Sequence, residues 1–307
     1  METVTGAMLG TFVGDALGMP YEGAFPSEVP RHPEMAEARR GRGTYTDDTE
    51  MMIVLAESLV SDGEVMPERL ARRFLDGCDP SRGYGAGTLA VMQLWREGES
   101  VDRAAGLVFD GTGSLGNGAA MRIAPVAVRY AHADDALRAQ AELSARVTHA
   151  HPVGVDAALV QAVAIAAAAR NENPLSAAER AASTQEVRRG LENALQLASG
   201  PSPAPSEAAR VLGNSSAAHL SVPLAVYAGA CGSDFDSCVS YAVRAGGDTD
   251  TIGAMAGAIA GARFGAGAIP GRWLDALERG PRGVEHVEGL AERLAAEGRR
   301  PPRRRLG

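Results

Sequence analysis

Gly253, Gly257 and Gly261 recur at four-residue intervals inside the apolar segment Ile252–Phe264. That spacing puts all three on one stripe of a helix. Glycine costs roughly 1 kcal/mol per position relative to alanine in a helix interior, so three on one stripe require a packing reason. The reason available is a second helix approaching the backbone closely. A membrane dimerisation stripe does not account for the pattern, because the segment is too short to span a bilayer.

Most of the remaining chain carries helical patterns. They run over residues 5–18, Thr49–Val60, Pro67–Leu75, Ala86–Arg96, Ile123–Tyr130, Ala133–Val147, Val153–Arg170, Ala177–Leu197, Ala217–Gly229, Phe235–Ala245 and Val287–Ala296. No run shows sustained period-two alternation with β-branched residues, which argues against a sheet. The longest apolar stretch, Val153–Ala169, contains Asp156 and Gln161 and is Ala-rich, so a buried core helix is expected there rather than a membrane span. Ala198–Ala208 is Pro/Ser-rich and reads as a surface loop; helical sequence resumes after it without a change of character, so it is not a domain boundary. A chain of 307 residues permits one large domain or two smaller ones. Residues 298–307, "RRPPRRRLG" with the glycine before it, lack apolar periodicity and are expected to be a disordered basic tail.

The formal net charge of −8 argues against a general binder of nucleic-acid backbones. Cys78, Cys231 and Cys238 form no CxxC pair, and an odd count without regular spacing fits a reducing cytoplasm. At least two of them are expected to be buried free thiols. The N-terminus has an early acid and no basic region of the kind that opens a signal peptide, so a cytoplasmic location is expected.

The chemistry concentrates in two acid-rich helix starts. Thr46-Asp47-Asp48-Thr49 precedes an apolar helix, and Asp248-Thr249-Asp250-Thr251 precedes the glycine-striped one. For the first, Asp47 as N-cap with Glu50 closing a capping box would be an ordinary explanation. It accounts for one aspartate better than for two. If both starts meet, four carboxylates share one small volume, and something positive must offset their repulsion. Neither motif contains Lys or Arg. Carboxylates and hydroxyls point to a hard divalent cation, Mg²⁺ or Mn²⁺, and the lack of Cys or His argues against zinc. Four aspartates exceed what one Mg²⁺ takes from protein, so two ions are the better count. Asp15, inside a buried helix, is expected to be a structural hydrogen-bonding residue. Glu22, in the turn after Pro20, is placed to carry a proton beside such ions.

Two glycine-rich loops, Arg82–Thr88 and Gly111–Arg122, each precede a helix. Exposed N–H groups at such helix starts suit phosphate oxygens. Neither loop is a Walker A motif or follows a predicted strand, and a plain connector explains each alone equally well. Asn117 tolerates unusual backbone angles and can bond a ligand. In "THAHP", His149 or His151 is a candidate for stacking on or bonding an adenine ring.

Taken in order, "GDALGMPYE", "YTDDTEM", "RGYGAGT", "GSLGNGAAMR", "THAHPVG" and "GGDTDTIGAMAGAIAGA" resemble the motifs of the ADP-ribosylglycohydrolase family, which includes the dinitrogenase reductase-activating glycohydrolases. The resemblance implies an all-α, compact, single-domain orthogonal helical bundle over residues 1–297 with two Mg²⁺ or Mn²⁺ ions. By motif, the ligands would be Thr46, Asp47, Asp48, Asp248, Asp250 and Thr251. Glu22 matches the family's mobile acid, with Asp47 and Asp48 as further catalytic carboxylates. Gly87, Ser114, Leu115, Gly116 and Asn117 match the loops that hold diphosphate and ribose, and His149 a position near the adenosine end. The implied reaction is hydrolysis at C1 of the distal ribose of an ADP-ribosyl group on a protein or related conjugate; a monomer with no membrane partner is the expectation for the chain itself. The "RGYGAG" and "GNGAAMR" forms are closer to the branch acting on serine- and O-linked ADP-ribose than to the arginine-specific one. A catalytically silent ADP-ribose binder and a dimetal phosphoesterase are the rival classes.

Overall fold

The computed structural model describes residues 1–297; the expected basic tail, residues 298–307, lies outside the described residues. The described residues form seventeen α-helices and no β-strand. The first five are α1 (Glu2–Gly18), α2 (Asp47–Asp62), α3 (Pro67–Gly77), α4 (Ala86–Arg96) and α5 (Val101–Leu107). Then follow α6 (Gly118–Met121), α7 (Ala124–Arg129), α8 (Asp134–Arg146), α9 (Pro152–Ala169), α10 (Pro174–Ala181) and α11 (Gln185–Ala198). The last six are α12 (Pro205–Leu212), α13 (Val222–Cys231), α14 (Phe235–Val243), α15 (Thr249–Phe264), α16 (Gly271–Leu274) and α17 (Val284–Glu297). The expectation of an all-α fold is met.

The glycine stripe of α15 packs against a second stripe on α1. Gly6, Gly10 and Gly14 face Gly261, Gly257 and Gly253, and a methyl group added at Gly10 would overlap the Gly257 carbonyl. The order of these pairs makes the two helices antiparallel. The C-terminal end of α1 therefore lies beside the N-terminal end of α15, where the Thr249 hydroxyl donates to the Gly18 carbonyl at 2.8 Å. Helices α9, α13 and α14 enclose α15 on its other sides. Gln161 of α9 donates to the Met255 carbonyl at 2.9 Å. Helix α9 is long and apolar enough to cross a membrane, but it is 78% buried against the rest of the chain and serves as a core helix. One hydrophobic cluster runs from Ala7 in α1 to Leu294 in α17.

Several local expectations need correction. The segment Ala177–Leu197 is not one helix: α10 ends at Ala181 and α11 begins at Gln185. Buried Asp156 on α9 accepts the N–H and hydroxyl of both Ser183 and Thr184, at 2.6–3.1 Å, and these bonds replace the helical ladder at the break. The Pro/Ser-rich loop ends earlier than expected, because Pro205 starts α12. Among the thiols only Cys238 is buried; Cys78 is half-buried and Cys231 exposed. Thr46, not Asp47, caps α2, and Glu50 closes no capping box. Its carboxylate turns instead to the Asp79 N–H and the Tyr84 hydroxyl, at 2.9 and 2.7 Å.

Candidate active site

The site is assembled where α1 ends and α2 and α15 begin. Asp15, fully buried on α1, accepts the Thr46 N–H, the Thr49 N–H and the Thr49 hydroxyl, at 3.1, 3.1 and 2.6 Å. Those bonds pin the first turn of α2 onto α1. Burial raises the Asp15 carboxyl to about 6, against the lowering effect of its Thr49 and Thr46 hydrogen bonds.

Within that turn the Thr46 hydroxyl accepts the Asp48 N–H at 3.3 Å and donates to Asp48 Oδ2 at 3.0 Å. The Thr251 hydroxyl of α15 donates to the same Oδ2 at 3.3 Å. Asp48 is thus the point where the two acid motifs touch.

The loop before α15 needs its glycines. Gly246 and Gly247 hold φ of +69° and +72°, a left-handed conformation that side chains rarely adopt. Reciprocal backbone bonds join this loop to the one that carries Glu22: Gly23 N–H to Gly247 O at 2.8 Å, and Gly247 N–H to Ala24 O at 2.9 Å. Glu22 itself is 48% exposed and paired with Arg39 at 3.2 Å.

Asp47, Asp248, Asp250, Thr251 and Glu22 all line one cavity of about 540 Å³. Thr46 and Asp48 lie just behind its wall, 2% and 1% exposed. The acids act on one another across the motifs. Burial pushes Asp47 up to about 8, with the Asp15, Asp248 and Glu22 charges adding to the rise. Asp48 stands well above the usual carboxylate range through burial, then through Asp15, Asp250, Asp47 and Asp248. Asp250 is raised in the same way by burial, Asp248, Glu22 and Asp15. Such a cluster favours binding a cation or holding protons.

The opposite wall is built from the glycine loops. Gly87 at the start of α4 and Ser114, Leu115, Gly116 and Asn117 before α6 all face the cavity. Asn117 Nδ2 donates to Asp248 Oδ2 at 2.6 Å, so the loop is bonded directly to the acid floor. His149, 2% exposed, lines the same cavity. His151 does not; it caps α9 by accepting the Val153 N–H at 3.2 Å.

Sequence reasoning missed several wall residues. Phe109, 54% exposed with φ of +53°, presents an aromatic ring at the rim. Ser216 and Ala217 also contribute, while Thr88, Thr112 and Met121 come from within the two glycine-rich loops. The segment around Ser216 is held there by Asn117 N–H to Ser216 O and Ala218 N–H to Leu115 O, each 3.0 Å. No motif marks it. Phe109 had one weak signal, an apolar residue directly before the turn sequence Asp110-Gly111.

Among the described residues no three His, Cys, Asp or Glu side chains stand close enough together to form a ready-made metal cage. The donor chemistry nevertheless suits a hard divalent ion, being carboxylate and hydroxyl oxygen. Asp48 Oδ1 is buried and has no hydrogen-bond partner, the condition expected of an oxygen that bonds a cation.

Fold and site together define an all-α protein with a ligand-sized cavity, acidic on its floor and glycine-rich on its wall. The chain belongs to the ADP-ribosylglycohydrolase family, whose model matches residues 1–304. It is 32% identical over 337 residues to the human ADP-ribosylhydrolase ARH3, covering 94% of this chain and 92% of that one. An uncharacterised protein of Archaeoglobus fulgidus is 37% identical over 312 residues, covering 95% and 96%. A solved structure described as an ADP-ribosylglycohydrolase-related protein complex superposes with a TM-score of 0.76 at 31% identity, covering 97% of this chain and 98% of that one.

Proposed function

We propose that the protein hydrolyses the glycosidic bond at C1 of the distal ribose in ADP-ribosyl groups on proteins or related conjugates, releasing ADP-ribose. Its family membership and its similarity to proteins named ADP-ribosylhydrolases support the reaction class. The observation that carries the reading is the convergence of Asp47, Asp48, Asp248 and Asp250 beneath a cavity walled by residues 112–118.

Two Mg²⁺ or Mn²⁺ ions, held by Thr46, Asp47, Asp48, Asp248, Asp250 and Thr251, would supply Lewis acidity toward the ribose hydroxyls and water. The protein's own groups do the rest. Gly87 and Ser114–Asn117 hold the diphosphate and the ribose, and Asn117, tethered to Asp248, fixes the distance between loop and acids. Phe109 offers a stacking face at the rim. This positioning turns a flexible substrate into one held in attack geometry. The carboxylates stabilise the positive charge of an oxocarbenium-like transition state. Glu22, solvent-accessible at the cavity edge, transfers the proton.

Serine- and O-linked substrates are preferred over arginine-linked ones in this proposal, on the form of the "RGYGAG" and "GNGAAMR" motifs. The test is a panel of serine-, arginine-, O-acetyl- and polymer-linked ADP-ribosyl substrates, with and without chelator, with products identified by mass spectrometry. Free ADP-ribose in the untreated arm alone is the expected result. AMP as product, or no release from any substrate, would overturn the reading.

A further inference from the structure

His149 is buried, yet one of its ring nitrogens is left for the cavity. Nδ1 lies 2.8 Å from the Thr148 hydroxyl. That hydroxyl already accepts from Arg122 Nη2 at 2.8 Å, and Arg122 Nη2 also donates to the Ser144 carbonyl at 2.8 Å. An arginine has only donors, so the Thr148 oxygen is the acceptor in that pair. Thr148 keeps one proton, and Nδ1 is the only acceptor bonded to it among the described residues. If Nδ1 carried the ring proton instead, the Thr148 hydroxyl hydrogen would be buried without a partner, at a desolvation cost. The ring proton therefore belongs on Nε2.

Nε2 has no hydrogen-bond partner among the described residues. Methyl groups added at Gly118 and Gly116 would come within 3.5 and 3.8 Å of it, so the two glycines leave the space over Nε2 clear. Arg122 is itself fully buried, with its guanidinium over the Phe74 ring at 4.8 Å, and Thr148 is fully buried as well. Neither has room to turn away. Burial, and then the Arg122 charge, push the His149 imidazole down to about 3, so the ring is neutral.

We propose that Arg122 and Thr148 are positioning residues that lock His149 as the Nε2–H tautomer, a hydrogen-bond donor to an acceptor oxygen of the ligand in the cavity. Arg122 orients Thr148, Thr148 sets the tautomer, and His149 selects for an acceptor while discriminating against a donor at that point. Identifying the ligand as ADP-ribosyl rests on the function proposed above; the tautomer does not.

The experiment is nitrogen-15 NMR of the histidine rings in the full chain, combined with calorimetric titration of ADP-ribose. His149 resonances are assigned by their loss in His149→Phe. The expected spectrum shows a protonated Nε2 and an unprotonated Nδ1 at neutral pH, in the absence of ligand. Thr148→Ser, which keeps the hydroxyl, retains both that spectrum and the affinity. Thr148→Val, which keeps the shape, gives a mixture of tautomers and weakens ADP-ribose binding about tenfold, the worth of one hydrogen bond. A protonated Nδ1 or an imidazolium in the wild-type protein would overturn the proposal. So would Thr148→Val binding ADP-ribose as tightly as Thr148→Ser. A wild-type protein with the expected spectrum but no ADP-ribose binding would refute the ligand assignment and the proposed function, while the tautomer lock would stand.

Discussion

Asp15 Oδ2 lies 2.6 Å from the Thr49 hydroxyl and 3.1 Å from the Thr49 backbone nitrogen. One buried carboxylate on α1 therefore satisfies the first turn of α2, whose N–H groups have no partner within the helix. The acid cluster is positioned by this bond set, because Asp47 and Asp48 lie between its two attachment points, Thr46 and Thr49.

Asp15→Ala strands three donors in the interior. At about 1–3 kcal/mol for each buried unsatisfied group, the loss is expected to reach about 3 kcal/mol or more by urea unfolding, together with loss of activity. Asp15→Asn, which keeps one acceptor oxygen, is expected to lose less. A stability change below about 1 kcal/mol for the alanine variant would contradict the role given to Asp15.

Gly257→Ala drives a methyl group into the Gly10 backbone across the α1–α15 contact. Backbone on both sides leaves no flexible side chain to yield, so the cost is expected at about 3 kcal/mol or above, or as failure to fold. Gly200→Ala, with nothing within 4 Å of the added methyl, is the matched control and is expected within about 0.5 kcal/mol of wild type. Equal behaviour of the two variants in thermal unfolding would deny that the helix contact is tight.

Glu22→Gln replaces the titratable carboxyl with an amide that can neither take up nor release a proton near neutral pH, and leaves the shape of the side chain. Turnover is expected to fall by about 10²–10⁴, the usual worth of a general acid or base, while ADP-ribose affinity in calorimetry is retained. Near-normal turnover would take Glu22 out of the proton-transfer role.

Asp48→Asn and Asp250→Asn are expected to weaken Mg²⁺ binding and to remove activity together. In the wild-type protein, millimolar Mg²⁺ should raise the unfolding temperature and chelator should reverse the rise, since a ligand bound only by the folded state stabilises it. Unchanged Mg²⁺ stoichiometry and affinity in both variants would exclude these carboxylates as ligands.

Asp234 caps α14 through a capping box, accepting the Ser237 N–H at 2.7 Å, and its carboxyl is held below the ordinary value of 3.8 chiefly by that bond. A folded-state value below the unfolded one stabilises the protein above the ordinary carboxylate range. That contribution disappears as the pH falls through the lowered value. Asp234→Ala is therefore expected to cost about 1 kcal/mol at neutral pH and progressively less in acid. A penalty that persists unchanged in acid would show that the charge plays no part.

How far these features were legible in the chain differs from one to the next. The α15 stripe was visible as Gly253, Gly257 and Gly261, because three glycines in a helix need a cause. The matching stripe on α1, Gly6, Gly10 and Gly14, has the same four-residue spacing, yet nothing local in either segment says that the two stripes pair. Asp47, Asp48, Asp248 and Asp250 were legible as a site because charge at the start of a buried helix is costly without a counter-charge. The break at Ser183 and Thr184 was not, because its cause, Asp156, is 27 residues away in sequence.

The helical class, the two acid-rich helix starts and the glycine loops can be read from the chain alone, since periodicity and local cost act over a few residues. What those pieces meet is set by the packed fold: Asp15 anchors Thr49, Asn117 reaches Asp248, Ser216 walls the cavity, and Thr148 leaves His149 Nε2 free. Such contacts join residues far apart in the chain, and their register is set by how helices pack and loops close, which local patterns do not encode.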